Sequence, residues 1–138
     1  MLHSRLESKH ILLAPQAMTN SATATANVDV SDGNAAVIIV ALAAEINTNA
    51  IGPTLSLLES DDTVVTNFAT VTADRTAEDI TTAKPVVYDV DLRGRKKYLR
   101  LSVTTETTTN DDVTLSATVT KGRRYEGGSG SDAVVVNV

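Results

Sequence analysis

The sequence predicts an all-β protein, and three observations carry that reading. Thr is the most frequent residue and Val stands close behind it, both β-branched and suited to strands. Several short runs alternate apolar and polar residues with period two. Turn-forming clusters of Gly, Asn, Asp and Ser separate those runs at roughly regular spacing, the pattern of a sandwich or barrel. A chain of 138 residues suits one domain, and 42% hydrophobic residues are enough for a core. Aromatics make up 3% with no Trp, so that core must be built from Val, Ile, Leu and Ala.

Residues 1–20 are polar apart from Ile11-Leu12-Leu13-Ala14-Pro15 and read as an N-terminal arm, with room for a short strand at 11–13. From Ala22 to Val30, apolar residues alternate with Thr23, Thr25, Asn27 and Asp29, a half-buried strand. Ser31-Asp32-Gly33-Asn34 marks a turn. Ala35 to Ala44 is continuously apolar; its length admits a helix, but Val37-Ile38-Ile39-Val40 favours a strand buried on both faces. Pro53 to Glu59 reads as a strand with Leu55 and Leu57 on one face. Val64, Val65, Phe68 and Val71 suggest an irregular strand, and 74–84 a polar loop.

Two runs around Gly94 read as a hairpin: Val86, Tyr88 and Val90 before it, Leu99, Leu101 and Val103 after it. Residues 104–112 read as a polar turn. Val113, Leu115, Ala117 and Val119 give the most regular strand. Gly127 to Ser131 is a flexible linker, and 133–138 an apolar C-terminal strand. The sum is seven or eight strands in an antiparallel, jelly-roll-like β-sandwich over residues 21–124, with the arm at 1–20 and the linker and strand at 125–138. The expected buried set is Val28, Val30, Val37, Ile39, Leu55, Leu57, Val86, Leu99, Leu101, Leu115 and Val119.

The composition narrows the chemistry. With no Cys, disulfides, thiolate zinc sites and Cys nucleophiles are excluded. No apolar run approaches the ~18 residues of a membrane span. The stretch 11–14 is shorter than the ~7–15 residues of a signal core, so a soluble protein used without export is expected, with no membrane partner. A net charge of −5 argues against a nucleic-acid partner. No nucleophile elbow, Walker loop or dinucleotide fingerprint occurs, and His3 and His10 both lie in the arm. The expectation is a non-enzymatic protein with no catalytic residue, no metal site and no cofactor.

Two features remain as candidate partner-binding elements. Arg93, Arg95, Lys96 and Lys97, with Arg100 close behind, form the strongest charge cluster. It could meet an acidic protein surface, or be a solvated turn whose cations discourage edge pairing. Only Tyr98 is aromatic there, which is poor support for base stacking. The second feature is Val134, Val135 and Val136, an uncharged β-former that left in water would be an aggregation hazard. A five-residue linker reaches about 12 Å, enough to join its own sheet or a neighbouring subunit. The glycine linker favours the neighbour. The acidic pairs Asp61-Asp62 and Asp111-Asp112, with Glu59 nearby, sit in turn-rich segments and read as turn chemistry rather than a calcium or glycosidase site.

Several segments resemble small virion proteins of tailed bacteriophages. They are Val28 to Gly33 leading into Ala36 to Leu42, Leu57 to Asp62, Tyr88 to Arg100, and Asp112 to Lys121 followed by Gly122-Arg123. The specific part is Asp-Leu-Arg-Gly-Arg-Lys-Lys-Tyr-Leu-Arg, and the likeness covers most of residues 22–124. The resemblance implies a head decoration (cement) or minor capsid protein. Such proteins bind the outside of the shell and clamp major capsid subunits. The arms at both ends and the lack of a ligand site add the expectation of a homo-oligomer, dimer or trimer. The linker and C-terminal strand are extra to that pattern. The alternative is a carbohydrate-binding or adhesion sandwich. Sugar platforms use exposed aromatics, and Phe68 with three tyrosines is a thin supply.

Overall fold

A computed structural model of the chain describes residues 8–19, 21–42, 53–71, 85–105, 113–122 and 134–138. The described residues form nine strands: β1 (Ser8–Met18), β2 (Thr23–Asp29), β3 (Ala35–Leu42), β4 (Thr54–Ser60), β5 (Ala69–Thr70), β6 (Val86–Asp91), β7 (Tyr98–Thr104), β8 (Val113–Lys121) and β9 (Val134–Asn137). A 3-10 turn, Val65–Asn67, precedes β5. The strands make a five-stranded sheet, β1-β8-β3-β6-β9, and a four-stranded sheet, β2-β7-β4-β5. Every ladder is antiparallel except β6–β9. With β9 set aside, each sheet has four strands. Successive strands pass from one sheet to the other at every step but β4 to β5, which is the jelly-roll arrangement. The chain is the all-β antiparallel sandwich its sequence predicts.

The ladders stack one apolar row of each strand into the interior. Ala36, Ile38 and Val40 face inward beside Val90, Tyr88 and Val86 on one flank and Val119 and Ala117 on the other. Opposite them lie Leu55 and Leu57 of β4 and Leu99, Leu101 and Val103 of β7, all fully buried. Ala22 and, from β2, Ala24, Ala26 and Val28 pack partly against this core. Small residues suit β2, an edge strand beside β7. The expected buried residues are in place except that Val28 and Ile39 are only partly buried. Ile39 lies on the outer face of β3, where Val37 is covered and Ile39 is not fully so.

Four local expectations are corrected. Residues 8–18 are not part of an arm; they form the edge strand paired with β8. Register shifts between Ile11 and Leu13 and between Leu13 and Gln16, the second spanning Ala14-Pro15, break the alternation, so the period is hidden although Leu13 and Met18 are buried. β6 and β7 are not a hairpin. The neighbours of β6 are β3 and β9, and those of β7 are β2 and β4. Buried Leu92 closes the end of the core, and the chain then crosses to the other sheet.

The segment after β4 is a turn and a two-residue strand rather than one irregular strand, and Val64 and Val65 are exposed. The C-terminal strand pairs in parallel with β6 of its own chain, where Val136 is buried beside Tyr88. The ladder is extended by Asp91 N–H donating to Val138 O at 2.9 Å and Val138 N–H donating to Asp89 O at 3.0 Å. Filling the core edge in this way removes the motive for reaching to a neighbour. His3, the loop at 74–84, the turn at 106–112 with Asp111-Asp112, and the linker lie outside the described residues.

Candidate functional site

Three connections meet at one end of the sandwich: 30–34 between β2 and β3, 61–68 between β4 and β5, and 92–97 between β6 and β7. Backbone hydrogen bonds fasten the first and third of them together, and an ion pair between Lys96 and Asp61 joins the second. Val30 N–H donates to Lys97 O at 2.9 Å, and Leu92 N–H donates to Asn34 O at 3.0 Å. The turn at 92–95 closes with Arg95 N–H on Leu92 O at 3.1 Å, and Gly94 in its third position has φ 80°, which a type II turn requires there. The candidate cluster Arg93, Arg95, Lys96 and Lys97 sits on this fastened turn.

Each of those cations faces a carboxylate from the same end. Arg93 Nε lies 2.9 and 3.1 Å from the two Asp91 carboxylate oxygens. Arg95 approaches Glu59 at 3.8 Å, Lys96 approaches Asp61 at 3.9 Å, and Lys97 approaches Asp29 at 3.9 Å. Lys97 also lies over the Tyr98 ring, 5.1 Å from its centroid. Lys121, at the end of β8, donates to Asp32 at 2.8 Å and to Asp29 O at 3.2 Å. The basic run of the sequence is therefore a rim of alternating charge, and such a rim projects a far weaker field than the bare run would. Lys121, Glu59, Asp29, Asp32 and Asp61 were not legible as part of it, because they lie tens of residues from the turn.

The acidic residues also organise the loops. Asp29 accepts from Ser31 N–H at 2.9 Å, and the Ser31 hydroxyl bond, first among its causes, holds its carboxyl below the usual range. The Lys121 hydrogen bond does the same for Asp32. Asp62 accepts from Asn67 Nδ2 at 2.8 Å and from Val64 N–H at 2.9 Å, and its carboxyl is likewise lowered, the Asn67 bond leading. Asp62 thus works as turn chemistry, the role expected for the Asp61-Asp62 pair, while Asp61 faces Lys96.

Of the other candidates, Val136 is core and Val135 is 37% exposed at the far edge of the five-stranded sheet, so neither joins this rim. His10 is an exposed residue of edge strand β1. An open cleft beside the rim is lined by Asn34, Ala35, Asp91 and Arg93, and two of those four are already paired with each other. Among the described residues no group of His, Asp and Glu is placed to hold a metal ion, and no helix is long and apolar enough to cross a membrane.

Arg100, beside the cluster in sequence, is separate from it in space. It points from β7 to the outer face, where Nε donates to Asn27 Oδ1 at 2.7 Å and the guanidinium lies 3.8 Å from the Phe68 ring centroid. Phe68 is therefore covered rather than presented. No protein-family model matches the chain, and a search of curated proteins finds no matching relative.

Proposed function

We propose that this chain is a non-enzymatic virion structural protein that decorates and stabilises a tailed-phage capsid, binding the outside of the major capsid shell as a dimer or trimer. The resemblance of Tyr88 to Arg100 to head decoration proteins supports the class. The observation that carries the reading is what that segment builds. It supplies the turn of a charge-alternating rim, fastened by backbone hydrogen bonds to the 30–34 loop and by the Lys96–Asp61 ion pair to the 61–68 loop. A fixed pattern of both signs suits register against a folded protein, whereas a nucleic-acid backbone calls for a surface of one sign. Jelly rolls serve in capsids and in lectins alike, so the fold itself is neutral between those uses. The carbohydrate reading is the less favoured, because the Phe68 ring lies under Arg100 and Tyr88 is buried.

Capsid shells that lack this protein test the proposal. They should take up the wild-type chain from solution, at a rate that falls with added salt. The double charge reversal R95E/K96E should slow uptake by about tenfold. Shells that take up none of the wild-type chain would overturn the proposal.

A further inference from the structure

We infer that Val64 and Val65 are the apolar anchor by which the rim docks, and that the partner is a folded protein surface with an apolar socket bordered by a lysine or arginine. On the decoration reading, on which this inference rests, that surface belongs to the major capsid subunit. The two valines are 54% and 71% exposed, and no residue of the Val65–Asn67 turn is buried. They contribute nothing to the core, yet the chain holds them firmly outward. Asp62 N–H donates to Ser60 Oγ at 3.2 Å, Val64 N–H donates to Asp62, and Asn67 N–H closes the turn on Val64 O at 3.0 Å. Beyond the turn, Phe68 is pinned beneath Arg100. A side chain already ordered in the free protein loses little entropy on docking.

The surroundings define the socket. Interfaces place apolar anchors within a polar rim, and here the valines follow Asp61 and Asp62 in one loop, where Val64 N–H donates to Asp62 and Asp61 faces Lys96. Both Asp62 oxygens are used within its own turn. Asp61 has a side chain 77% exposed and faces Lys96 across 3.9 Å, a loose pair that a partner's cation can replace. The charge that the turn offers outward beside the valines is thus negative, and complementarity asks for a cation at the socket's edge.

Uptake of the full chain by shells built from the major capsid protein of the same genome tests this. The double substitution V64S/V65S should weaken binding by about tenfold or more, and D61K by a smaller factor. The melting temperature of the free protein should be nearly unchanged in both variants, since the sites are exposed. Shells that bind wild type and V64S/V65S equally would overturn the inference and leave the decoration reading standing. If V64S/V65S separated a wild-type dimer without altering uptake, the socket would belong to a second copy and the inference would fail. Shells that ignore the wild type would overturn the decoration reading and this inference with it.

Discussion

The two sheets solve the same packing problem with different outer faces. In the five-stranded sheet the central strands are covered on both sides: behind the core row, Val37, Val87 and Asp89 are 4%, 1% and 6% exposed. In the four-stranded sheet the outer face stays wet, with Thr23, Thr25 and Thr104 exposed and Ser56 and Ser102 half-buried. Strands covered on both faces read as continuous apolar runs, and strands covered on one face alternate. The difference shows where contact surface is available. The outer face at β3 and β6 is withdrawn from water, whereas the four-stranded sheet and the rim remain open.

The largest effects should come from the core that both sheets share. Ile38→Ala and Leu101→Ala each remove a fully buried side chain, one from each sheet, and each should cost about 2–5 kcal/mol in chemical denaturation. A clear inequality would mean that one sheet dominates the core. The outer faces should then part company. Val87→Asn places an amide where water is excluded and should cost about 1–3 kcal/mol. Ser102→Asn on the wet sheet should stay within about 0.5 kcal/mol. Equal costs at those two positions would break the comparison.

The rim should respond to acid in a defined direction. Asp29, Asp32 and Asp62 have folded pKa values below their ordinary one, so each stabilises the fold above the unfolded carboxylate value, ~3.9. That contribution is lost as pH falls through the lowered folded values. Amide resonances of Val64 and Asn67 should therefore hold steady from neutral pH to about 4 and shift only below it. Asp62→Asn should remove that low-pH step. A midpoint near pH 6 would assign the loops to other groups. The smallest effect belongs to Arg93→Ala, whose side chain is 80% exposed; its denaturation midpoint should match that of the wild type.

What was legible in the sequence follows from what is local. The run from Ala35 and the alternations of β2 and β8 are properties of contiguous residues, and each strand formed where its pattern lies. The Gly94 turn was legible as a turn but not as a crossover. Two strands flanking a glycine look alike whether they ladder with each other or face across a core, and only the positions of β3, β4 and β9 decide it. β1 was obscured by its own register shifts. The rim illustrates the same limit for the candidate site. Its cations are contiguous in the sequence, but Asp29, Glu59 and Asp61 come from other strands and loops, so their pairing is a product of topology. Val64 and Val65 carried a strand-like signal, yet the Asp62 and Asn67 hydrogen bonds turn that segment outward.

The central claim is that the chain is a stoichiometric part of a capsid's outer surface, and quantitative mass spectrometry of purified particles tests it most directly. On the decoration proposal the particles are those of a phage whose genome would encode the chain, measured before and after brief treatment with a protease that cannot enter the shell. The account predicts a fixed ratio of this chain to the major capsid protein, with peptides from the exposed rim lost on treatment while the shell and its DNA stay intact. Particles that lack the chain, or that hold it only at trace and protease-protected levels, would contradict it.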